Sequence, residues 1–471
     1  MKEKAVIIKE LKALFGSKIV TEEDILKEQS SDWIGYRRWE RHNGSYLAGL
    51  PTCVIKADST EDVSEAIKYC YDNEIVVVPQ CGRSCVCAGV ETYEGTVVLD
   101  GSDMNGIVEL DEENFMLTAK CGTPLEYIEK YLNERGYTSG HFPQSLPLAQ
   151  LGGLVSTRSI GQLSTLYGGI EDLLHGMEAV LCDGSVIRIK NVPRRAAGPE
   201  LNQLFMGSEG NFGFVTEATI KIFKHRADRA KQSYAVKDFE TGIRAIKEIM
   251  QEGYKPAVVR LHDDVEAEMS YGSFIEESEH ILLFVSEGPD SVIKATAEGI
   301  DAIMSKYESR SLGEKPVDLW YTIRNATCDD LYAHNKKGLL RDTCEISGNW
   351  SCIMPIYENA LRRFKEEIEN LTQISAHSSH SYMTGTNLYF VFSFKGDADL
   401  AKSRAQYDTA MRIIMEETLK YGGSICHHHG VGKYRTPYMP AEHGTSYPMM
   451  ETLKKAFDPK NIMNTGAFLP R

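Results

Sequence analysis

The chain has no long hydrophobic run. Among its 471 residues no apolar stretch approaches the roughly 20 needed to cross a bilayer, and the longest, such as Ile281 to Val285, have the length of buried strands. Nor is there an excess of positive charge: 52 Lys and Arg against 67 Asp and Glu leave a formal net charge of −15, which gives no attractive field for a phosphate polymer or an anionic membrane. Nucleic acid is therefore not expected as a partner. No G-x-G-x-x-G opens a helix after a strand and no Walker A lysine motif occurs, which argues against a Rossmann nicotinamide site or an ATP site. Low-complexity tracts and long linkers are missing too, so the domains should pack closely. Cysteine is present but unsuited to a disulfide framework. The eleven are odd in number and spread from Cys53 to Cys426 in a chain long enough not to need staples, so mostly reduced thiols are expected. The N-terminal MKEKAVIIKELKALF sets Ile7, Leu11, Leu14 and Phe15 on one helical face among charges, unlike a signal peptide. With no peroxisomal address in Leu469-Pro470-Arg471, a cytoplasmic location is expected.

What is there has the composition of a folded protein, 42% hydrophobic and 25% charged, and the length for roughly two to four compact units. Ser59 to Asp62 (STED) reads as a capping box for a helix burying Val63, Ala66, Ile67 and Cys70, followed by a β-branched run at Ile75 to Val78. Strands are predicted at Thr96 to Leu99 and near Met116 to Lys120, with a helix around Leu125 to Leu132 that stops at Gly136. Asp183-Gly184 between two apolar-rich runs makes Met177 to Ile189 a β-hairpin. From about residue 230 the texture changes. A helix at Phe239 to Met250, strands at Ala257 to Leu261 and Ile281 to Val285, and a helix at Val292 to Tyr307 have a coarse echo further on. There a helix Pro355 to Leu371 precedes strands near Ser375 to Tyr382 and Asn387 to Phe394, then a helix through Leu400 to Tyr421. Two helix-and-strand units suggest an α+β second domain with antiparallel strands.

Glycine clusters at three places in the first half: Gln80 to Gly89 (QCGRSCVCAG), Leu151 to Gly169 (LGGLVSTRSIGQLSTLYGG) and Gly207 to Gly213 (GSEGNFG). Glycine lets backbone N–H groups crowd a phosphate and the interspersed hydroxyls add donors, so such loops can hold a pyrophosphate; each taken alone also reads as a tight turn. The most unusual run is Cys426-His427-His428-His429-Gly430-Val431-Gly432-Lys433. If it is extended, His427 and His429 share one face and His428 points away, so all three cannot easily bind one ion without His377, His380 or His141. Acid–base work is favoured over a metal site or an inert structural run.

VVVPQCGRSCVCAGVE, VVLDGSDMNGIVELDEENFMLTAKCGTPL, PQSLPLAQLGGLVSTRSIGQLSTLYGGIEDLL, PRRAAGPELNQLFMGSEGNFGFVTEATIKIF and FDPKNIMNTG, in that order, resemble flavoproteins of the vanillyl-alcohol oxidase and p-cresol methylhydroxylase type. The resemblance covers roughly residues 45 to 470. It implies an α+β fold: an N-terminal helical segment (1–45), a two-subdomain FAD-binding domain (46–225), a substrate cap on an antiparallel sheet (226–422), and a C-terminal segment (423–471) returning to the flavin. It also implies that FAD is held by Pro79, Gln80, Cys81, Gly82, Arg83, Ser84, Cys85 and Gly89 of the first loop. Pro143, Ser145, Gly152, Gly153, Thr157, Arg158 and Gly161 would follow from the second segment, and Gly207, Glu209, Gly210, Gly213, Val215 and Asn464 from the rest. Where relatives have consecutive glycines this chain has Cys81-Gly82-Arg83. Arg83 could pair with a phosphate or point to solvent, and Cys81, Cys85 and Cys87 read as small residues lining the loop rather than as flavin attachment points.

The histidine pair and glutamate that bind metal in the D-2-hydroxy-acid dehydrogenase branch are replaced here by Tyr382, Tyr389 and His428, so no metal is expected. The Tyr-x6-Tyr spacing with HHHGVGK instead resembles the alkyldihydroxyacetonephosphate synthase branch. That likeness implies Tyr389 as a base and His141, Arg260 and His427 to His429 as active-site residues. The acidic stretch DDVEAEMSYGSFIEESEH, where the synthase has a longer apolar insertion, speaks against a long-chain substrate. Removing a hydroxyl proton as hydride leaves for flavin needs a base near the oxygen. Tyr389 or a histidine qualifies, a tyrosinate needing cationic help from Lys433, Arg435 or a protonated histidine. Arg260 could clamp a carboxylate or phosphate, or pair with Asp263 or Asp264. The expected activity is oxidation of a small anionic or polyhydroxylated substrate, with oxygen or an electron-transfer protein as acceptor. An ether-lipid type transferase is the alternative and a flavin electron-transfer protein a weaker one; a homodimer is compatible with each.

Overall fold

The computed structural model describes residues 2–325 and 333–470; Arg471 of the terminal tripeptide lies outside them. The capping signal at Ser59 acts as expected: its Oγ accepts from the Asp62 N–H and starts the helix Thr60–Asp72, which buries Val63, Ala66, Ile67 and Cys70. This helix covers a four-stranded sheet ordered Ile19–Val20, Cys53–Lys56, Val97–Asp100, Val77–Gln80, parallel except at its first pair. The N-terminal segment is thus more than a helical prelude, because it supplies an edge strand. Its helix Lys4–Phe15 buries Ile7, Leu11 and Phe15 against that unit, whereas Leu14 is 46% exposed: the narrow i, i+4, i+8 seam suffices.

A second, five-stranded antiparallel sheet runs Ile107–Asp111, Met116–Lys120, Phe214–Lys221, Leu174–Val180, Val186–Ile189. Its last pair is the expected hairpin, turned at Gly184 with φ 85°. The two sheets form the first half of the molecule.

The second half is built on one seven-stranded antiparallel sheet in the order Ser309–Ser311, Arg229–Val236, His280–Glu287, Val258–His262, Leu371–Ser378, Gly385–Lys395, Leu339–Asn349. The coarse echo in the sequence is visible here. Each side of the seam between Val258–His262 and Leu371–Ser378 carries three long strands and two long helices, Phe239–Gln251 with Asp290–Met304, and Trp350–Glu367 with Leu400–Lys420. Several elements differ from expectation; the strand read at Ser375 to Tyr382, for one, runs Leu371–Ser378. The helix placed at Pro355 begins five residues earlier, because the Trp350 N–H and indole N–H are anchored on the Thr384 and Met383 carbonyls, leaving proline inside the helix. The strand Leu339–Asn349 carries no clean alternation and becomes legible only through its eleven-residue pairing with Gly385–Lys395. The C-terminal segment crosses back to the first half, where Met463 bridges to Val77 and the Asn464 amide donates to the carbonyls of Gly89 (2.9 Å) and Glu209 (2.7 Å).

Candidate active site

One elongated cleft runs between the halves. Pro79, Gln80, Cys81, Gly82, Arg83, Ser84, Cys85 and Gly89 line it from the first loop, Pro143, Ser145, Gly152, Gly153 and Thr157 from the second, and Glu209, Gly210, Gly213, Val215 and Asn464 from the third loop and the returning tail. Three expected members do not line it. Arg158 turns to Glu171 (3.7 Å) and is half exposed, Gly161 packs on the His141–Phe142 backbone, and Gly207 sits under the Arg158 side chain. Gly82 is required by close approach, since a Cβ there would lie 2.2 Å from the Leu148 carbonyl oxygen. Gly153 is different: a Cβ would meet nothing within 4 Å and would only take space from the cleft, which is what a wall kept flat for a bound group looks like.

The first loop is tied down from outside. Asp32 accepts from the Gly89 N–H (2.9 Å) and the Ile34 N–H (3.1 Å), and burial pushes its carboxyl up to about 6. The Arg83 guanidinium pairs with the Glu28 carboxylate and carbonyl, both at 2.7 Å. Asp32 and Glu28 stand in the segment read as a mere N-terminal helix, where nothing in the sequence marks them.

At the other end of the cleft, strand register assembles the chemistry. His262 pairs with His377, His377 with Tyr389 and Tyr389 with Glu345, so four side chains form one row on one sheet face. Arg260, two residues before His262, shares that face. The His377 ring stacks on Tyr389 with centroids 4.6 Å apart, and the Tyr389 hydroxyl donates to Thr343 Oγ1 (3.0 Å). Burial pushes the phenol above its ordinary value. The cations expected to help it are engaged elsewhere: Lys433 bonds the Glu91 carbonyl, and buried Arg435 bonds Glu345 and the Ile425 carbonyl. No protonated histidine assists either, because burial pushes His428 down to about 3 and His429 down to about 4. Tyr389 is therefore a neutral phenol among neutral imidazoles.

The histidine run is not extended. It wraps around the buried Glu345 carboxylate, which accepts from the backbone N–H groups of His427 (2.5 Å), His428 (3.1 Å) and His429 (2.8 Å) and is reached by Arg435 (3.3 Å). Burial by itself raises the Glu345 carboxyl; the Arg435 charge and the three backbone N–H groups more than reverse this and hold it well below the usual range. The three rings consequently do not alternate. His428 and His429 line the cleft with Tyr389, Arg260, His377 and His380. His427 does not: its Nε2 bonds the Tyr382 hydroxyl (2.7 Å) and its ring stacks on His380. His141 lies behind the wall, buried, with Nε2 3.3 Å from Ser159 Oγ. His380, His427 and His428 do bring one nitrogen each within 4.8 Å of one another, which an extended run would have forbidden. His380 Nδ1 is nonetheless bonded to Ser164 Oγ (2.8 Å), and the Nδ1 atoms of His427 and His428 bond each other (2.9 Å).

The fold is one shared with flavoproteins such as p-cresol methylhydroxylase. Residues 51–190 match the FAD binding domain family and 227–468 the C-terminal domain of FAD linked oxidases. The chain is 43% identical to the uncharacterized FAD-linked oxidoreductase YgcU of Escherichia coli O157:H7 over 99% of both proteins. It is 26% identical to the alkyldihydroxyacetonephosphate synthase of Dictyostelium discoideum (98% of this chain, 80% of the relative) and 25% to glycolate oxidase subunit GlcD of Bacillus subtilis (88% of each). Among solved structures, an alkyldihydroxyacetonephosphate synthase superposes with TM-score 0.82 at 23% identity (100% of this chain, 86% of that one), and p-cresol methylhydroxylase with 0.77 at 16% (99% and 97%). The chain belongs to the FAD-linked oxidoreductases, and its cofactor is FAD.

Proposed function

We propose that the protein oxidises the hydroxyl-bearing carbon of a small anionic or polyhydroxylated substrate: a hydroxy acid, polyol or sugar derivative. The observation that carries this reading is the convergence on one sheet face of a guanidinium with unspent N–H groups, a phenol and neutral imidazoles, at the end of a cleft whose other end is flat and glycine-rich. The three loops hold FAD, with Gly153 leaving it room and Asn464 locking two of the loops together. FAD, when bound, supplies the hydride acceptor. Arg260 orients the substrate through its anionic or hydroxylated end. His429 takes the hydroxyl proton: no hydrogen bond engages its ring among the described residues, and Glu345 lies 3.9 Å from Nδ1 to favour the imidazolium that forms. Tyr389, edge-on to His429 at 5.1 Å, exchanges its hydroxyl bond to Thr343 for the substrate oxygen when substrate binds. Because both nitrogens of His427 and one each of His380 and His428 already bond protein groups, the reading is proton transfer without a metal, and EDTA dialysis should leave turnover unchanged.

A transferase of the ether-lipid type is the second reading, favoured by the histidine run and the tyrosine pair. Against it, the stretch after Arg260 forms a short acidic helix, Asp264–Tyr271, and not a wall for a long acyl chain. Anaerobic mixing of the flavin-loaded protein with hydroxy acids, polyols and sugar phosphates separates the two. Bleaching of the oxidised flavin band is expected. Exchange of an acyl group for a fatty alcohol without steady bleaching would overturn the proposal.

A further inference from the structure

Behind Arg260 lies a closed ring of hydrogen bonds that no substrate contact explains. Arg260 Nε donates to His262 Nε2 (3.0 Å) and Nη2 to His377 Nε2 (3.0 Å). The other nitrogens of the same rings meet on one carboxylate, His262 Nδ1 at 2.6 Å and His377 Nδ1 at 2.9 Å from Glu266 Oε2. The three donor atoms lie close enough to suggest a cation site. Every lone pair and proton of the rings is already committed, however. A guanidinium has only donors, so each Nε2 must be the acceptor, and each imidazole is neutral with its proton on Nδ1, given to Glu266. The charges of Arg260 and Glu266 are thus joined through two neutral rings.

Each component comes from a different constraint. His262 and His377 face each other across the seam of the seven-stranded sheet, one from each half. Glu266 reaches them from the helix Asp264–Tyr271, whose N-cap Asp263 accepts from the Glu266 N–H (3.0 Å) and is pinned to the seam by the Ala376 N–H (2.5 Å). Two of the five guanidinium N–H bonds are used on the rings. The remaining three have no partner among the described residues, in a side chain that lines the cleft. They comprise both N–H bonds of Nη1 and one of Nη2, the edge that fits two oxygens of one oxyanion.

We propose that Glu266, His262 and His377 are positioning residues that lock the Arg260 fork in one plane, so that the cleft selects an oxyanion, carboxylate or phosphate, over a neutral hydroxyl compound. This rests on the reading of the cleft as the substrate site and narrows its substrate class. The pair of rings does what a single carboxylate on Arg260 could not: it fixes the guanidinium at two points while leaving its charge undiminished for the ligand.

The test is titration of the FAD-loaded protein with oxalate and with inorganic phosphate, read as perturbation of the flavin absorbance, with glycerol as the neutral control. Glu266→Gln and His262→Asn should each retain bound flavin and weaken the favoured oxyanion by about tenfold or more, without changing the response to glycerol. With a reducing anionic substrate, KM should rise by a similar factor while the limiting rate of flavin reduction falls far less. The stronger of the two probes identifies carboxylate or phosphate. Unchanged oxyanion dissociation constants in folded, flavin-loaded variants would overturn the proposal, as would a wild-type protein that binds neither probe. Should Glu266→Gln lose its flavin, His262→Asn alone decides. If no hydroxy compound reduces the wild-type flavin while the variants still lose oxyanion affinity, the oxidation reading fails and the positioning role stands; reduction with unchanged affinities gives the converse.

Discussion

The proposed base, His429, and its neighbour His428 are already in the state that proton acceptance requires. Burial pushes them down to about 3 and about 4, so both are unprotonated across the neutral range. A base must be unprotonated to accept the substrate's proton. Accordingly kcat/KM should stay level as pH falls through the ~6.5 of free imidazole and decline only below about pH 5, which a stopped-flow pH profile would measure. His429→Asn should slow flavin reduction by ~10²–10⁴-fold with flavin content unchanged. Tyr389→Phe should do so by about 10²-fold, through loss of its hydroxyl and not of a tyrosinate; unaltered reduction in either variant would remove that residue from the mechanism. Gly153→Leu tests the cofactor end. The new side chain meets no protein atom near its Cβ and intrudes on the cleft, so the protein should fold but purify with little FAD, as the ratio of visible to ultraviolet absorbance would report. Tyr389, His428, His429 and Arg260 were legible as a group only because the chain resembles a known family. Glu266 and Glu345 were not legible at all, since an isolated glutamate in a strand or a surface-like acidic stretch gives no sign of being buried.

Helices with local signals were read close to their true extent, because a cap and a 3.6-residue stripe are written within a dozen residues. Ser59→Ala should therefore cost about 1 kcal/mol in urea unfolding and nothing in activity. The histidine run shows the opposite case. Its conformation depends on Glu345, some eighty residues earlier, and no local rule could convert an apparently alternating strand into a bend around a carboxylate. Glu345→Ala would leave Arg435 buried beside three unsatisfied N–H groups. A loss of about 3–5 kcal/mol in thermal or urea unfolding is expected, together with loss of flavin reduction in whatever protein remains folded.

Over the whole molecule, the tail joins two loops that sequence can only align one by one. Glu209 accepts from the backbone N–H groups of Val431 and Gly432, while Asn464 donates to the Glu209 and Gly89 carbonyls. Glu209→Ala should break the connection to Val431 and Gly432 while leaving the carbonyl that Asn464 reaches, lowering retained FAD and melting temperature together. The net charge of −15 is a whole-chain total and gives no hint of the cleft, whose lining sets Arg260 among His377, His380, His428 and His429. By itself the sequence determined the cofactor class, the two-part architecture, the local helices and the hairpin, because each is encoded by contiguous spacing or by motifs in fixed order. Only the tertiary structure decided which residues meet: that Arg158, Gly161, Gly207, His141 and His427 stand off the cleft while His377, Glu345 and Glu266 arrange it. The physical reason is strand register. A row of side chains on one sheet face is set by hydrogen bonding between separate segments, those of His262 and His377 lying more than a hundred residues apart, and a single-residue slip would send every member of that row to the other side.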